Sequence, residues 1–164
     1  MVDRDQYRDV LARFASGVVV VTTGSSGEQG GFHGVTVSAF CSVSIEPSLI
    51  LACIDREIQS HDLIAQAPVF AVNILSREQS FLAEQFSGRT PLADPDFSRV
   101  PHRIGRLGVP LIEQSVAWIE CRTWARYDGG DHTIFVGEVV ALETGSQDDP
   151  LIYFDRSFTE LSWG

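Results

Sequence analysis

A chain of 164 residues, 44% hydrophobic and 21% charged, has enough apolar material for one packed domain and too much for a disordered segment. Its net charge of −10 argues against nucleic acid and anionic membrane as partners, because either polyanion would meet a like-charged surface. All 12 basic residues are arginine, so a Walker loop, a lysine Schiff base and a Ser-Lys nucleophile pair are excluded, and any phosphate must rest on arginine, hydroxyls and backbone amides.

Residues 3–14 read as an amphipathic helix, with Tyr7, Val10, Leu11 and Phe14 on one stripe at i, i+3, i+4 and i+7. Gly17 is expected to end it, and the β-branched run 18–23 to form a strand. The segment 24–31, GSSGEQGG, lacks the Gly-x-Gly-x-x-Gly spacing and lies between two strands, so it reads as a hairpin connection rather than a phosphate loop. Residues 35–45 then alternate without a break. Val35, Val37, Ala39, Cys41, Val43 and Ile45 are apolar, and Thr36, Ser38, Phe40, Ser42 and Ser44 stand between them. This period predicts one strand with one buried face. The opposite face carries four hydroxyls, one ring and no charge. It reads either as a surface that a ligand approaches closely or as a serine-rich edge strand.

Pro47 and a strand over 49–54 follow. Ser60 is placed as the N-cap of a helix holding Leu63 and Ile64, which stops at Pro68. Residues 69–75 predict a strand, and Ser76 caps a second helix with Phe81, Leu82 and Phe86 on one side. The stretch 88–108, rich in Pro, Gly, Asp and Arg, reads as a long loop. Strands over 115–127 and 132–142 form a hairpin around Asp128, Gly129, Gly130 and Asp131, and 151–154 is a last short strand. The expected architecture is therefore mostly β: a single domain over 1–164, an antiparallel barrel or sandwich with a few covering helices. The longest apolar runs, 18–21 and 49–54, are too short to cross a bilayer, and the N-terminus carries no apolar signal region. A cytoplasmic location is expected, with Cys41, Cys53 and Cys121 as reduced core thiols on apolar strand positions.

Several chemistries fail on spacing. His33, His61, His102 and His132 form no His-x-His or Cys-x-x-Cys pattern, so no metal is expected. No Gly-x-Ser-x-Gly elbow supports a serine hydrolase, and the cysteines sit in apolar strands that would not activate a thiolate. Ser60, five residues after a strand and near Arg56, reads either as a plain cap or as an anion site built from a hydroxyl, free amides and a guanidinium. His132, beside Asp131 just after a turn, reads either as a surface residue or as a rim residue that meets a ligand.

Five blocks in order decide among these readings: FASGVVVVT at 14–22, GVTVSAFCSVS at 34–44, FAVNIL at 70–75, GDHTIFVGEV at 130–139 and PLIYF at 150–154. Together they resemble the short-chain flavin reductase family, the reductase components of two-component flavin monooxygenases. The resemblance implies an FMN-binding type of split β-barrel that forms a homodimer and moves a hydride from C4 of NADH or NADPH to N5 of FAD or FMN. Reduced flavin would then pass to a partner monooxygenase. It further implies that Thr36, Val37, Ser38 and Ala39 line the isoalloxazine and that Ser42, Val43 and Ser44 continue the pocket. Asp55 and Ser60 would mark the phosphate end, and Phe86 to Arg89 would cover it. His132, Tyr153, Phe154, Asp155 and Arg156 would face the nicotinamide nucleotide, His132 as the positioning group. Trp118 and Trp124 are candidates for the dimer contact. The chain departs from the family at Pro47-Ser48, where Pro-Pro is usual, at Ser60 in place of Thr, and at Glu57, Ile58 and Gln59 in place of a serine-rich lead. The last departure leaves FMN and FAD both open. A non-catalytic flavin-binding barrel and a pyridoxamine-phosphate oxidase-like or haem-handling split barrel are the alternatives.

Overall fold

The computed structural model describes residues 1–24, 31–88 and 97–162. The expected hairpin connection at 24–31 falls mostly outside them, as does Arg89. Seven strands make the main sheet: β2 (Val19–Gly24), β3 (Phe32–Val37), β4 (Phe40–Ser44), β5 (Leu49–Asp55), β6 (Val69–Ile74), β9 (Ala117–Gly129) and β10 (His132–Thr144). Their order is β3-β2-β6-β9-β10-β5-β4, and every pairing is antiparallel. Thus β3 and β4, consecutive in the chain, lie at opposite edges of the sheet. Only Ser38 and Ala39 separate them, so the sheet must curl until its edges nearly meet. At that seam Cys53 N–H donates to the Ala39 carbonyl at 2.9 Å, but no ladder closes β3 onto its neighbour across the gap. The result is the mostly β, antiparallel split barrel.

The unbroken strand expected over 35–45 is therefore two strands, and the buried set changes across the break. Val35 and Val37 point into the core, as alternation predicts. Beyond Ala39 it is Phe40 that packs on the same core, while Val43 and Ile45 are exposed. Ser38 and Ala39 carry the chain across the seam, so inside shifts from odd to even positions.

Strand β2 is buried on both faces because it divides two cores. Val19 and Val21 join Val35, Ile54, Phe70 and Phe135 inside the barrel, with Ile64 of α2 (His61–Gln66). Val18 and Val20 face outward against Leu82 and Phe86, of and just after α3 (Ser80–Gln85), and Leu151. Asn73 of β6 is fully buried and locks this region. Its Nδ2 donates to the Val20 carbonyl at 2.9 Å, and its Oδ1 accepts from Ile112 N–H at 2.7 Å. Ile112 belongs to β8 (Pro110–Ile112), just past the segment 88–108 read as a long loop, and β8 pairs with β7 (His102–Ile104), which lies within that segment. Strands of three residues are too short for alternation to register.

Other expectations need correcting. Helix α1 spans Arg4–Leu11, started by the Asp3 carboxylate accepting from Gln6 N–H at 2.8 Å, and none of its residues is buried. Its predicted apolar stripe exists but no described residue covers it: Tyr7, Val10, Leu11 and Phe14 are all exposed. Gly17 falls in the two-residue β1 (Ser16–Gly17), which pairs with β11 (Ile152–Phe154) and, through it, β12 (Ser157–Thr159). Ser60 precedes α2 with helical backbone angles and makes no capping bond. Phe81 is exposed while Leu82 and Phe86 are buried, because α3 turns Leu82 and Ala83 onto the core and Phe86 follows just after it. Ser76 instead opens a single 3-10 turn, Arg77–Gln79, its N–H bonded to Gln79 Oε1 at 3.0 Å. Cys121 is buried, but Cys53 is partly exposed and Cys41 exposed, since both project from the outer face of the barrel wall. Trp118 is buried, donating its indole N–H to the Ile112 carbonyl at 2.7 Å, and so cannot serve a dimer contact. No described helix is long and apolar enough to cross a membrane.

Candidate active site

Beside the seam between β3 and β5 lies a cavity of about 620 Å³. Its floor is the end of β3 and the crossing, Val35 to Ala39. One wall is the end of β5, Cys53, Ile54 and Asp55, with Ile58. Ala83, Glu84 and Ser87 close the α3 side, and His132 stands at the mouth. The far wall is the β11–β12 hairpin with Tyr153, Arg156, Ser157 and Phe158.

Closure of the sheet leaves the crossing outside any ladder, and that frees donors. Thr36 is committed to the floor: its N–H bonds the Phe86 carbonyl at 2.9 Å and its hydroxyl the Ala83 carbonyl at 2.8 Å. Among the described residues the amides of Ser38 and Ala39 bond no acceptor in the chain. Gly34 lets this floor sit close to α3, since a Cβ there would lie 3.0 Å from the Phe86 ring.

His132 opens β10 directly opposite Asp55 of β5, after a tight turn at which Gly130 takes φ 79°. Its Nδ1 lies 2.6 Å from Asp131 Oδ1. A carboxylate only accepts, so that contact places the ring proton on Nδ1 and leaves Nε2 for the cavity. The same bond holds the Asp131 carboxyl below its ordinary value. Asp55 is buried and accepts from Glu57 N–H at 2.8 Å. Arg56 turns away to Asp128 at 2.6 Å and to Thr133, which His61 also bonds at 2.9 Å. Burial and the neighbouring Cys41 push the Cys53 thiol up.

A model of the flavin reductase like domain matches residues 11–162, nearly the whole chain and every wall of this cavity. The chain belongs to the flavin reductase family. It is 34% identical, over 97% of its length and 89% of the relative's, to the FMN reductase (NADH) RutF of Stutzerimonas stutzeri. It is 33% identical to the reductase component of 4-hydroxyphenylacetate 3-monooxygenase from Thermus thermophilus, covering 98% of both chains. Among solved structures, the NADH:FAD oxidoreductase SgcE6 of Streptomyces globisporus, in complex with NAD and FAD fragments, superposes with a TM-score of 0.87. That match has 34% identity and covers 98% of this chain and 93% of the other.

The flavin reductase cavity gathers Thr36, Val37, Ser38, Ala39, Asp55, His132, Tyr153 and Arg156, eight of the residues singled out from sequence. It does not gather Ser42, Val43 and Ser44, which lie along β4 beyond the crossing, the Ser44 hydroxyl bonded to the Pro47 carbonyl. Ser60 and Phe86 lie behind the walls, Phe86 with its ring in the outer core. Phe154 and Asp155 do not line it; Asp155 turns instead to Arg13 and the Ala12 carbonyl. Sequence reasoning missed Cys53, Ile58, Glu84, Ser157 and Phe158. Ser157 and Phe158 directly follow a segment already singled out, and Ile58 was met only as a departure from the family's serine-rich lead; Glu84 carries no signal, because only the fold brings its helix to the seam.

Proposed function

We propose that this cavity is where flavin and nicotinamide nucleotide meet, the flavin along the crossing and the nucleotide between His132 and the β11–β12 hairpin. The chain is a flavin reductase that oxidises a reduced nicotinamide nucleotide and supplies reduced flavin to a monooxygenase. The observation that carries the placement is the pair of amides at Ser38 and Ala39, uncommitted among the described residues, in a crossing that lines the same cavity as His132. Planar, acceptor-rich heterocycles suit such a floor, and its volume accommodates a ring system with part of a second. Bound there, flavin supplies a hydride acceptor at N5 for the nicotinamide C4.

The residues have separable tasks. Backbone dipoles at Ser38 and Ala39 are already oriented, so they stabilise added negative charge with little reorganisation. Thr36 holds the floor rigid through its two bonds to the α3 side. Nε2 of His132, its ring fixed by Asp131, orients the nicotinamide through a hydrogen bond; hydride transfer itself moves no proton. NADH is the better donor. Among the described residues that line the cavity Arg156 is the single guanidinium, and Asp55 and Glu84 add carboxylates unfavourable to a 2′-phosphate.

The protein acts as a single-domain homodimer in the cytoplasm. The outer face of β9, β10, β5 and β4 is apolar: Tyr127, Ile134 and Cys53 stand in one row, with Val136, Leu51 and Cys41 in the next. Tyr127 is 56% exposed and Val43 48%, on a face that continues to the cavity wall. A patch of this kind is what a two-fold copy covers. Light scattering from a stable 18.0 kDa monomer with full activity would remove this claim.

The deciding experiment is stopped-flow reduction of FMN and FAD by NADH and by NADPH. NADH oxidation that depends on added flavin is expected. Flavin binding without turnover would return the protein to the non-catalytic alternative, and no flavin binding to the other split barrels.

A further inference from the structure

The β11–β12 hairpin turns through Asp155 and Arg156, both left-handed, with φ 49° and 65°. Two positive φ values suit a two-residue hairpin turn, in which Asn-Gly or Asp-Gly is usual. Aspartate tolerates this region through local hydrogen bonds, but an arginine there is strained. The turn places Arg156 on the cavity wall. The guanidinium meets a carboxylate from a distant part of the chain, Asp9 of α1. Arg13 lies 3.7 Å from Asp155, and Asp155 N–H donates to the Ala12 carbonyl at 2.9 Å. Helix α1 buries none of its own residues, so these polar contacts fasten it beside the cavity.

We propose that Asp9 competes with the phosphates of the nicotinamide nucleotide for Arg156. The inference rests on the reading that Arg156 faces that nucleotide. Without nucleotide, Asp9 neutralises the guanidinium; when pyrophosphate enters, Arg156 exchanges one anion for another. Both side chains of the pair are more than half exposed, so the exchange costs little in either direction. Asp9 thereby lowers the affinity for nucleotide and hastens release of the oxidised product, although it does not touch the reacting atoms. It is an affinity-setting residue, supplied by a helix that lines no part of the cavity.

Asp9→Asn keeps the shape and removes the charge. The KM for NADH should fall about two- to five-fold, the range set by loss of an exposed ion pair. The gain should shrink as salt rises towards about 0.5 M, where such charges are screened. FMN affinity, read by fluorescence titration, should match wild type, and Asp9→Glu should restore the wild-type KM. Arg156→Gly relaxes the turn and removes the guanidinium, so a folded variant with a raised KM for NADH is expected. If Arg156→Gly raises KM but Asp9→Asn leaves it unchanged or raises it, competition is overturned while the placement of the nucleotide stands. If Arg156→Gly leaves KM unchanged, the placement itself fails. Tighter FMN binding by Asp9→Asn would also overturn the proposal, because the competing phosphate would then be the flavin's.

Discussion

His132→Ala separates a positioning histidine from a surface one. The imidazole is held at Nδ1 by Asp131 at 2.6 Å, so the variant removes one oriented ring nitrogen, Nε2, from the cavity mouth. The side chain is 38% exposed, which places its hydrogen bond with ordinary neutral ones rather than with buried charged ones. Such a bond contributes about 0.5–1.5 kcal/mol, or roughly 2- to 12-fold in kcat/KM for NADH. Stopped-flow reduction at saturating flavin, with NADH varied, reads this factor directly. Flavin affinity should stay within about two-fold of wild type, because no wall of the crossing is touched. A variant indistinguishable from wild type with both substrates would refute the assignment. Lost flavin binding with intact nucleotide binding would mean that the two ends of the site are reversed.

Gly137 lies at a bulge in β10, where a Cβ would stand 2.5 Å from Phe70 Cζ and 2.8 Å from Cys121 Cβ. Gly137→Ala should therefore cost about 2–3 kcal/mol, lowering Tm by roughly 4–12 °C in thermal unfolding. Asn73→Ala leaves the buried Ile112 N–H without its acceptor and should cost about 2–4 kcal/mol in urea unfolding; a loss under about 1 kcal/mol would contradict the lock described above. The Cys121 thiol, buried and pushed up to about 12, should resist iodoacetamide at pH 8 until the protein unfolds, whereas Cys53 should react slowly and more slowly still with FMN present. Failure of FMN to protect Cys53 would move the flavin off this wall. Because Asp131 is more acidic folded than unfolded, its pair with His132 stabilises the protein above the ordinary value of 3.8. That contribution is lost as pH falls through the lower folded value. Asp131→Asn should thus lower Tm slightly at pH 7, with the difference shrinking as pH falls below 3.8.

Much of the candidate site's lining was legible because its residues lie in blocks that combine special types with fixed order. Thr36 to Ala39 stand out as an uncharged hydroxyl segment, and His132 stands just past a glycine turn. Both reach the cavity. Ser42, Val43 and Ser44 continue the same pattern yet leave it, because alternation is blind to a two-residue crossing between sheet edges. Ser60 has the residue type of a cap and no capping bond, since a residue type permits a contact but its backbone angles decide it.

By itself, the order of residues determined the strands β2, β5, β6, β9 and β10, the turn before His132 and the antiparallel class, since these follow from local period and turn chemistry. The tertiary structure decided what covers each face. Curling the sheet put β3 and β4 on opposite edges, exposed Cys41 and Val43, and left the Ser38 and Ala39 amides without an acceptor among the described residues. Packing on α3 drew Phe86 away from the cavity and brought Glu84 to it. The same closure left the α1 stripe uncovered and set Asp9 against Arg156, 147 residues away along the chain. Period records that two faces differ; only long-range contacts, whose partners are remote in sequence, settle which of them meets core, ligand or a second copy.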